Sequence, residues 1–569
     1  MGMGVGEMGC RPKRLLFTGL AAGLALAVLA GRLAWIQLAA GPRLAALALA
    51  EVSRAVPLEA VPRGDIEDDH LVPLTGAYQA DRLVVFPDLL AHPARDAAAL
   101  APLLSVSATV LARDLAGGPK VLAYPVDPVV RRAVAGLNDP GLSVHRVAFR
   151  NGPGALAVHL TGYLGPPENR AQAARILPGG PDLVGLCGLE ACYDRDLQDN
   201  IPRRAVREFL DADGRPTGIV AVNQSDADPA RRNLVLTIDS RVQAAVERIM
   251  DQHVRKGAVV VLDAATGDVL AMASRPTFQP DRITAGLGSS ADVFENRALA
   301  LYPPGSVFKV VVAAAALDQG VVTPGTMFFD RGARATPVPD WYGPGFGLIN
   351  FDEAFAESVN PFFAKIGLQL GAARLIDYAK RFGLAVQSPA GYPLPPDGRQ
   401  NWSLVAARHC LADSSIGQGP VLVSPLQVAG MVETVVNGGV YVQPRLVKAV
   451  VDDDGRVVMT PSRLRRRAIG PAADRELLAV MRLVTTSGTG RDAQVPGWGS
   501  AGKTGTAQTG NPDSPDDAWF AGFAPWPRPR YVAVVLVQGG TDGGTDAGGV
   551  FKLLMEKLLN GTARASIPR

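Results

Sequence analysis

Residues 302–309 read Tyr-Pro-Pro-Gly-Ser-Val-Phe-Lys. A serine hydroxyl is a weak nucleophile until a base takes its proton, and a lysine becomes that base when burial or a neighbouring cation strips its own proton. Pro303 and Pro304 cannot continue a helix, Gly305 permits a tight turn, and Ser306 then opens an apolar helical run. In that setting Lys309 stands one turn beyond Ser306 on the same face. The positive end of the helix favours an alkoxide at Ser306 and an oxyanion beside it. In isolation the pair has a plainer reading, with Ser306 as a helix N-cap and Lys309 as a solvated side chain.

Two further stretches carry matching chemistry. Glu357-Ser-Val-Asn-Pro361 offers Ser358 as a proton relay and the Asn360 amide as a partner for a substrate amide. Asn360 ahead of Pro361 is also a sound capping arrangement. Ala501-Gly-Lys-Thr-Gly-Thr-Ala-Gln508 reads as a strand with a cation, Lys503, and two hydroxyls, Thr504 and Thr506. Gly505 lies between them, bare where a ligand must approach. Alone, this segment is a surface strand. Together, Ser-x-x-Lys, Ser-x-Asn and Lys-Thr-Gly follow one another in the order used by serine acyl-transfer enzymes that react with β-lactams. Val359 stands where an Asp is frequent, but the outer residues of that motif carry the chemistry.

Such motifs need a rigid frame. Residues 257–263 form a fully apolar run, 264–267 a turn and 268–274 a returning strand, which predicts a hairpin. Residues 518–523 and 531–538 predict a second, joined by a Pro-rich turn. Helical patterns lie between them over 307–319, 361–371 and 425–437. Residues 233–239 read as a short strand, with Ser240 as N-cap of a helix reaching 253. Strands at both ends and helices between predict an α/β (α+β) domain on one antiparallel sheet. Upstream, 42–230 is mixed, with turn signals at 178–181 and 211–214 and a polar linker over 223–232.

At the N-terminus Arg11, Lys13 and Arg14 precede an uncharged run over 15–31, and apolar residues resume after Arg32 with Trp35 among them. This fits a signal peptide, with Ala-Leu-Ala at 25–27 or 46–48 as cleavage signal, or an uncleaved anchor; the length and Trp35 favour the anchor. The expectation is a single-pass membrane protein with tail 1–14 cytoplasmic, transmembrane anchor 15–41 and the remainder extracytoplasmic. Cys10 then faces the reducing cytosol, while Cys187 and Cys192 are local candidates for a disulfide or are free thiols.

Composition trims the function classes. The 57 Lys+Arg against 54 Asp+Glu leave +3, which carries no signature of nucleic-acid binding. Hydrophobic residues at 47% and charged residues at 20% exclude a disordered chain. Four cysteines exclude a disulfide scaffold, and six scattered histidines give no metal-ligand spacing, so neither metal nor cofactor is expected. The length allows roughly two to four domains.

The three motifs resemble those of class B penicillin-binding proteins, monofunctional peptidoglycan D,D-transpeptidases. The likeness extends to Leu236-Thr-Ile-Asp239 with Gln243, to 257–276, to Asn296-Arg-Ala298, to Ile416-Gly-Gln-Gly419 with Ser424-Pro-Leu-Gln427, and to Ala518-Trp-Phe520. Residues 62–66, 159–165 and 185–190 resemble the pedestal domain of the same family. One departure is Glu67-Asp-Asp-His70, where the family continues with an aromatic-Asp-basic-Asn-Gly run. The resemblance implies a transpeptidase (serine β-lactamase-like) domain over 231–569, with a five-stranded antiparallel sheet flanked by helices, after a pedestal of the dimerisation type over 42–230. It implies that Ser306 attacks the penultimate D-Ala carbonyl of a stem peptide, with Lys309 as general base. Ser358 relays a proton with electrostatic help from Lys503, Asn360 holds the donor amide, and Thr504, Gly505 and Thr506 receive the terminal carboxylate. Backbone N–H groups of Ser306 and Thr506 form the oxyanion hole.

The implied partners are peptidoglycan stem peptides, inhibitory β-lactams, and a SEDS-type membrane glycosyltransferase with other cell-wall synthesis proteins. Elongation, division and sporulation stay open as the process served. The alternatives are a β-lactam-binding scaffold or sensor and a serine β-lactamase. The latter needs a Glu-x-x-Leu-Asn run between the second and third motifs, whereas here that run falls at 556–560, after both. A bifunctional synthase needs a Glu-Asp-x-x-Phe-x-x-His context that 1–230 lacks.

Overall fold

Four apolar or near-apolar segments and a fifth that carries Lys503 and two threonines settle into one sheet. In the computed structural model, which describes residues 12–41, 44, 48, 51–176, 182–198, 202–224, 231–286, 288, 292–407, 409–509 and 515–565, β1 (Gly257–Asp263) pairs antiparallel with β2 (Val269–Arg275) as the first hairpin. The second hairpin is β4 (Asp517–Ala524) with β5 (Tyr531–Gln538), and β3 (Ala501–Ala507) joins β4. The order is β2-β1-β5-β4-β3, all antiparallel, so β3 is an edge strand.

Both faces of this sheet are covered, which explains runs that are apolar without alternation. Ala258, Val260 and Leu262 of β1 and Val532, Val534 and Leu536 of β5 enter one core. Val259 and Val261, with Ala533 and Val535, enter the other. The second core is closed by α2 (Ser240–His253) and α7 (Gly548–Ala565). The first is filled by α3 (Lys309–Asp318), α4 (Asn360–Leu370), α5 (Pro425–Val436) and α6 (Pro471–Thr486). Helix α3 is buried from Lys309 to Ala316 and is apolar all round between its two charged ends, Lys309 and Asp318.

Three local expectations change. The N-cap of α2 is Asp239, not Ser240: Asp239 Oδ1 accepts from Arg241 N at 2.9 Å and from Val242 N at 3.4 Å, while Ser240 N donates to Asp68 Oδ2 at 3.0 Å. Ser306 does not open an α-helix, because Gly305–Phe308 is a 3₁₀ turn and the α-helix starts at Lys309. Asn360 does not cap α4; Val359 occupies that position and the amide has another partner.

The packing divides the chain into two units, each discontinuous: 1–60 with 79–148 and 201–226, and 61–78 with 149–200 and 227–569. Residues 61–78 and 149–200, read above as pedestal, thus fold with those after 227. In that unit strand Ile66–Glu67 lies parallel to strand Arg232–Leu236, and Arg63 pairs with Glu190 and Asp194 at 2.7 Å each in a fully buried cluster. The departure at Glu67-Asp-Asp-His70 has a local use. Burial opposes a charge on Asp68, yet the N–H groups of His70, Val72 and Ser240 bind its carboxylate and hold it below the usual carboxylate range. In the other unit, helices Pro93–Leu100, Ala108–Leu115 and Pro128–Leu137 pack on a sheet of Lys120–Val121, Tyr78–Val85 and Leu142–Phe149.

Helix α1 (Pro12–Trp35) continues through a π turn at Ile36–Ala40. The stretch Leu16–Leu38 has 23 residues and a mean hydropathy of 1.8, and none of it is buried in the protein; it is long and apolar enough to cross a membrane. Cys187 and Cys192 are free thiols. Cys10, the turn at 178–181 and 225–230 of the expected linker lie outside the described residues.

Candidate active site

The first motif gains from its 3₁₀ turn. With three residues per turn, side chains at i and i+3 eclipse, so Ser306 and Lys309 stack more directly than on an α-helix. Two glycines make the turn possible. Gly305 has φ +53°, and a Cβ on it would lie 2.8 Å from Thr506 O. Gly417, at φ +76°, accepts the Gly305 N–H on its carbonyl at 3.0 Å, and its own Cβ would meet Gly305 O at 1.9 Å. The turn is therefore wedged between edge strand β3 and the 416–419 loop.

Lys309 is not a solvated helix residue. It is 0% exposed, and its Nζ donates to Ser358 O at 2.6 Å, to Ser358 Oγ at 3.1 Å and to Asn360 Oδ1 at 2.6 Å. Desolvation, and then the charge of Lys503, hold its pKa well below the usual lysine value, against a weaker pull from Asp340. A neutral amine keeps two N–H donors and gains a lone pair. If the two short bonds to Ser358 O and Asn360 Oδ1 use those donors, the lone pair is left to accept a hydroxyl proton, and the Ser358 hydroxyl stands within its reach at 3.1 Å. Ser358 itself adopts φ +60°, uncommon for a non-glycine residue, at the end of the helical segment Phe351–Ala356.

Lys503, on β3, is also 0% exposed, with Nζ 5.8 Å from the Phe355 ring centroid. Burial pushes its pKa down to about 7, opposed by the half-buried Glu357 carboxylate. Thr504 shares a hydrogen bond of 2.6 Å with Thr489, and Thr506 Oγ1 accepts from Gly543 N at 3.3 Å. Gly505 has no room for a side chain: a Cβ would lie 2.8 Å from Pro304 O and 2.9 Å from Val307 Cγ2.

Ser306, Ser358, Asn360, Thr504, Gly505 and Thr506 line one cleft of about 270 Å³, with Lys309 and Lys503 buried beside it. All eight residues expected from the motifs thus belong to one site. The motifs did not point to Asp340, Trp341, Thr489 or Asp542. Trp341, Thr489 and Asp542 line the same cleft, and Asp340 accepts the Asn360 N–H at 2.9 Å. Asp340 and Trp341 sit in a Pro- and Gly-rich stretch that reads only as loop, and Thr489 in a Ser-Gly-Thr-Gly turn. Among the described residues no cluster of His, Cys, Asp and Glu is arranged to hold a metal ion.

A serine in the cleft one turn from a fully buried lysine, a second buried lysine and a hydroxyl-rich edge strand form the kind of constellation found in serine acyl-transfer enzymes. Comparison with known proteins agrees. Residues 257–556 match the penicillin binding protein transpeptidase domain family. The chain is 30% identical over 556 residues to stage V sporulation protein D of Bacillus subtilis, covering 92% of this chain and 81% of that protein. It is 27% identical over 573 residues to the peptidoglycan D,D-transpeptidase FtsI of Escherichia coli, covering 95% and 90%. A solved structure described as the structural coordination of polymerization and crosslinking by a peptidoglycan synthase complex superposes with a TM-score of 0.67 at 27% identity, covering 95% of this chain and 97% of that one. The chain belongs to the penicillin-binding protein transpeptidases, class B.

Proposed function

We propose that this chain cross-links peptidoglycan stem peptides through an acyl-enzyme on Ser306. The observation that carries the reading is Lys309: a fully buried amine, held by Ser358 and Asn360, one eclipsed turn from a serine in the cleft. Lys309 takes the Ser306 hydroxyl proton as Oγ bonds to the penultimate D-Ala carbonyl carbon of a donor stem. The N–H groups of Ser306 and Thr506 hold the oxyanion. The C–N bond to the terminal D-Ala breaks, and Ser358 passes a proton to the departing amine beside Lys503. Asn360 orients the donor amide, and Thr504 and Thr506, with Gly505 between them, receive the terminal carboxylate. An amine of a neighbouring stem then attacks the ester, forms the cross-link and restores the Ser306 hydroxyl. A β-lactam presents the same carbonyl and leaves a stable ester.

In this reading α1 anchors the chain and places the tail 1–14 in the cytoplasm and the catalytic unit outside, where the substrate is. Residues 42–230 serve as a pedestal, of which 61–78 and 149–200 pack with the catalytic unit, and a SEDS-type membrane glycosyltransferase is the partner that supplies glycan. The likeness to a peptidoglycan synthase complex supports a cell-wall synthesis partner of this kind. The test is turnover: the full chain, given pentapeptide stems and an amine acceptor, releases D-Ala and forms cross-linked product, and Ser306→Ala forms neither. Stable acylation by penicillin without any turnover would instead make the chain a β-lactam-binding scaffold.

A further inference from the structure

Hydrogen-bonded to the backbone of Asn360 stands a carboxylate that the reaction scheme does not use. Asp340 is 6% exposed, and its Oδ1 accepts the Asn360 backbone N–H at 2.9 Å. The Trp341 N–H also lies against this carboxylate, yet Oδ2 is buried and completes no hydrogen bond. A buried carboxylate oxygen left unpaired is costly, so its retention calls for a use.

The residue is fixed from behind by a short relay of hydrogen bonds. Asp330 accepts Gly332 N at 3.0 Å and Phe346 N at 2.9 Å, which closes the loop between strands Phe328–Asp330 and Gly347–Ile349. Gly332 O then accepts Asp340 N at 3.1 Å, and Asp340 in turn holds Asn360. Gly332 has φ +61°, and a Cβ there would lie 2.1 Å from Gly343 O, so the loop has no slack at this point. The last link is the bond from Lys309 Nζ to Asn360 Oδ1 at 2.6 Å.

We propose that Asp340 is a positioning residue of the acylation reaction: it fixes Asn360 against Lys309 and acts as the buried counter-charge that sets how readily Lys309 gives up its proton. The inference rests on Lys309 being the base, as argued above. The charged groups facing this pair are few. Lys309 and Asp330 face Asp340, Lys503 and Asp340 face Lys309, and Glu357 faces Lys503. Asp340 opposes the effect of Lys503 on Lys309, and burial raises its own pKa to about 6, so its charge changes near neutral pH.

The sign follows from the charges. An ionised Asp340 favours protonated Lys309, so a neutral residue in its place frees the amine at lower pH. Asp340→Asn keeps a carbonyl oxygen for the Asn360 N–H and removes only the charge. Asp340→Ala removes both. The second-order rate of Ser306 acylation by a fluorescent penicillin, measured from pH 5 to 9, reads the difference. In Asp340→Asn the acid limb moves down by about half a unit or more, with the rate at the optimum within about threefold of wild type. In Asp340→Ala the rate falls about tenfold or more across the range, since the bond to Asn360 is lost as well. A profile for Asp340→Asn that superimposes on wild type overturns the role, as does an equal loss in both variants with no shift. Wild-type protein that is not acylated at Ser306 overturns the reading of the site and this role with it.

Discussion

Lys309 and Lys503 are the costly residues of this molecule. Each is a cationic side chain with no exposure, close enough that one lowers the pKa of the other. No fold gains stability from such a pair, so the cost points to chemistry. For Lys503 the sign can be worked through. Its folded pKa of about 7 lies below the ordinary lysine value of 10.5. The unfolded chain therefore binds more protons between those values, and stability rises with pH across that window. Below about pH 7 the penalty is full and constant. Lys503→Met removes it. The variant should unfold at a higher temperature than wild type at pH 6, by up to about 4 kcal/mol of stability, and the gap should narrow toward pH 10 while acylation is lost at every pH. Equal melting at both pH values would show that Lys503 is not buried as a strained cation. The motif residues were legible one by one because their types are unusual for where they sit. Asp340 was not, since an Asp among prolines and glycines is ordinary and only packing across 20 residues of sequence separation gives it a task.

At the scale of elements, the sheet was written in the sequence as apolar runs, and both hairpins lie where those runs predict. Alternation was absent for a physical reason: two helical layers bury both faces, so period two is masked. Caps were less legible. Asp239 and Ser240 are adjacent residues of the same capping type, and the choice between them depends on Asp68, which is remote in sequence. The 3₁₀ turn at Ser306 was also hidden, because it is imposed by the wedge between β3 and Gly417 and not by local propensity. That wedge can be tested with two glycines of similar backbone. Gly417 and Gly419 have φ +76° and +66°, but an added Cβ meets Gly305 O at 1.9 Å in the first and nothing nearer than 3.7 Å in the second. Gly417→Ala should lower the acylation rate about tenfold or more, because the Ser306 turn must move. Gly419→Ala should carry only the conformational strain, about 1 kcal/mol, and keep the rate. Equal rates in the two variants would free the turn from the loop.

For the whole molecule, packing and chain order disagree in an instructive way. A linear reading separates residues before and after 230, whereas segments 61–78 and 149–200 are sewn into the catalytic unit by the Ile66–Glu67 strand and the buried Arg63, Glu190 and Asp194 cluster. Sequence order cannot show this, because the pairing spans more than a hundred residues and leaves no periodic trace. The near-neutral charge of +3 is consistent with a site whose lysines, Lys309 and Lys503, are buried beside a cleft and not spread over a surface. The central claim is that this cleft makes Ser306 a nucleophile. It is tested most directly by exposing the full chain to a labelled penicillin, digesting it and locating the adduct by mass spectrometry. A single stable adduct is expected on the peptide that contains Ser306, absent in Ser306→Ala and strongly slowed in Lys309→Met; an adduct elsewhere, or undiminished labelling of Ser306→Ala, would contradict a nucleophilic Ser306.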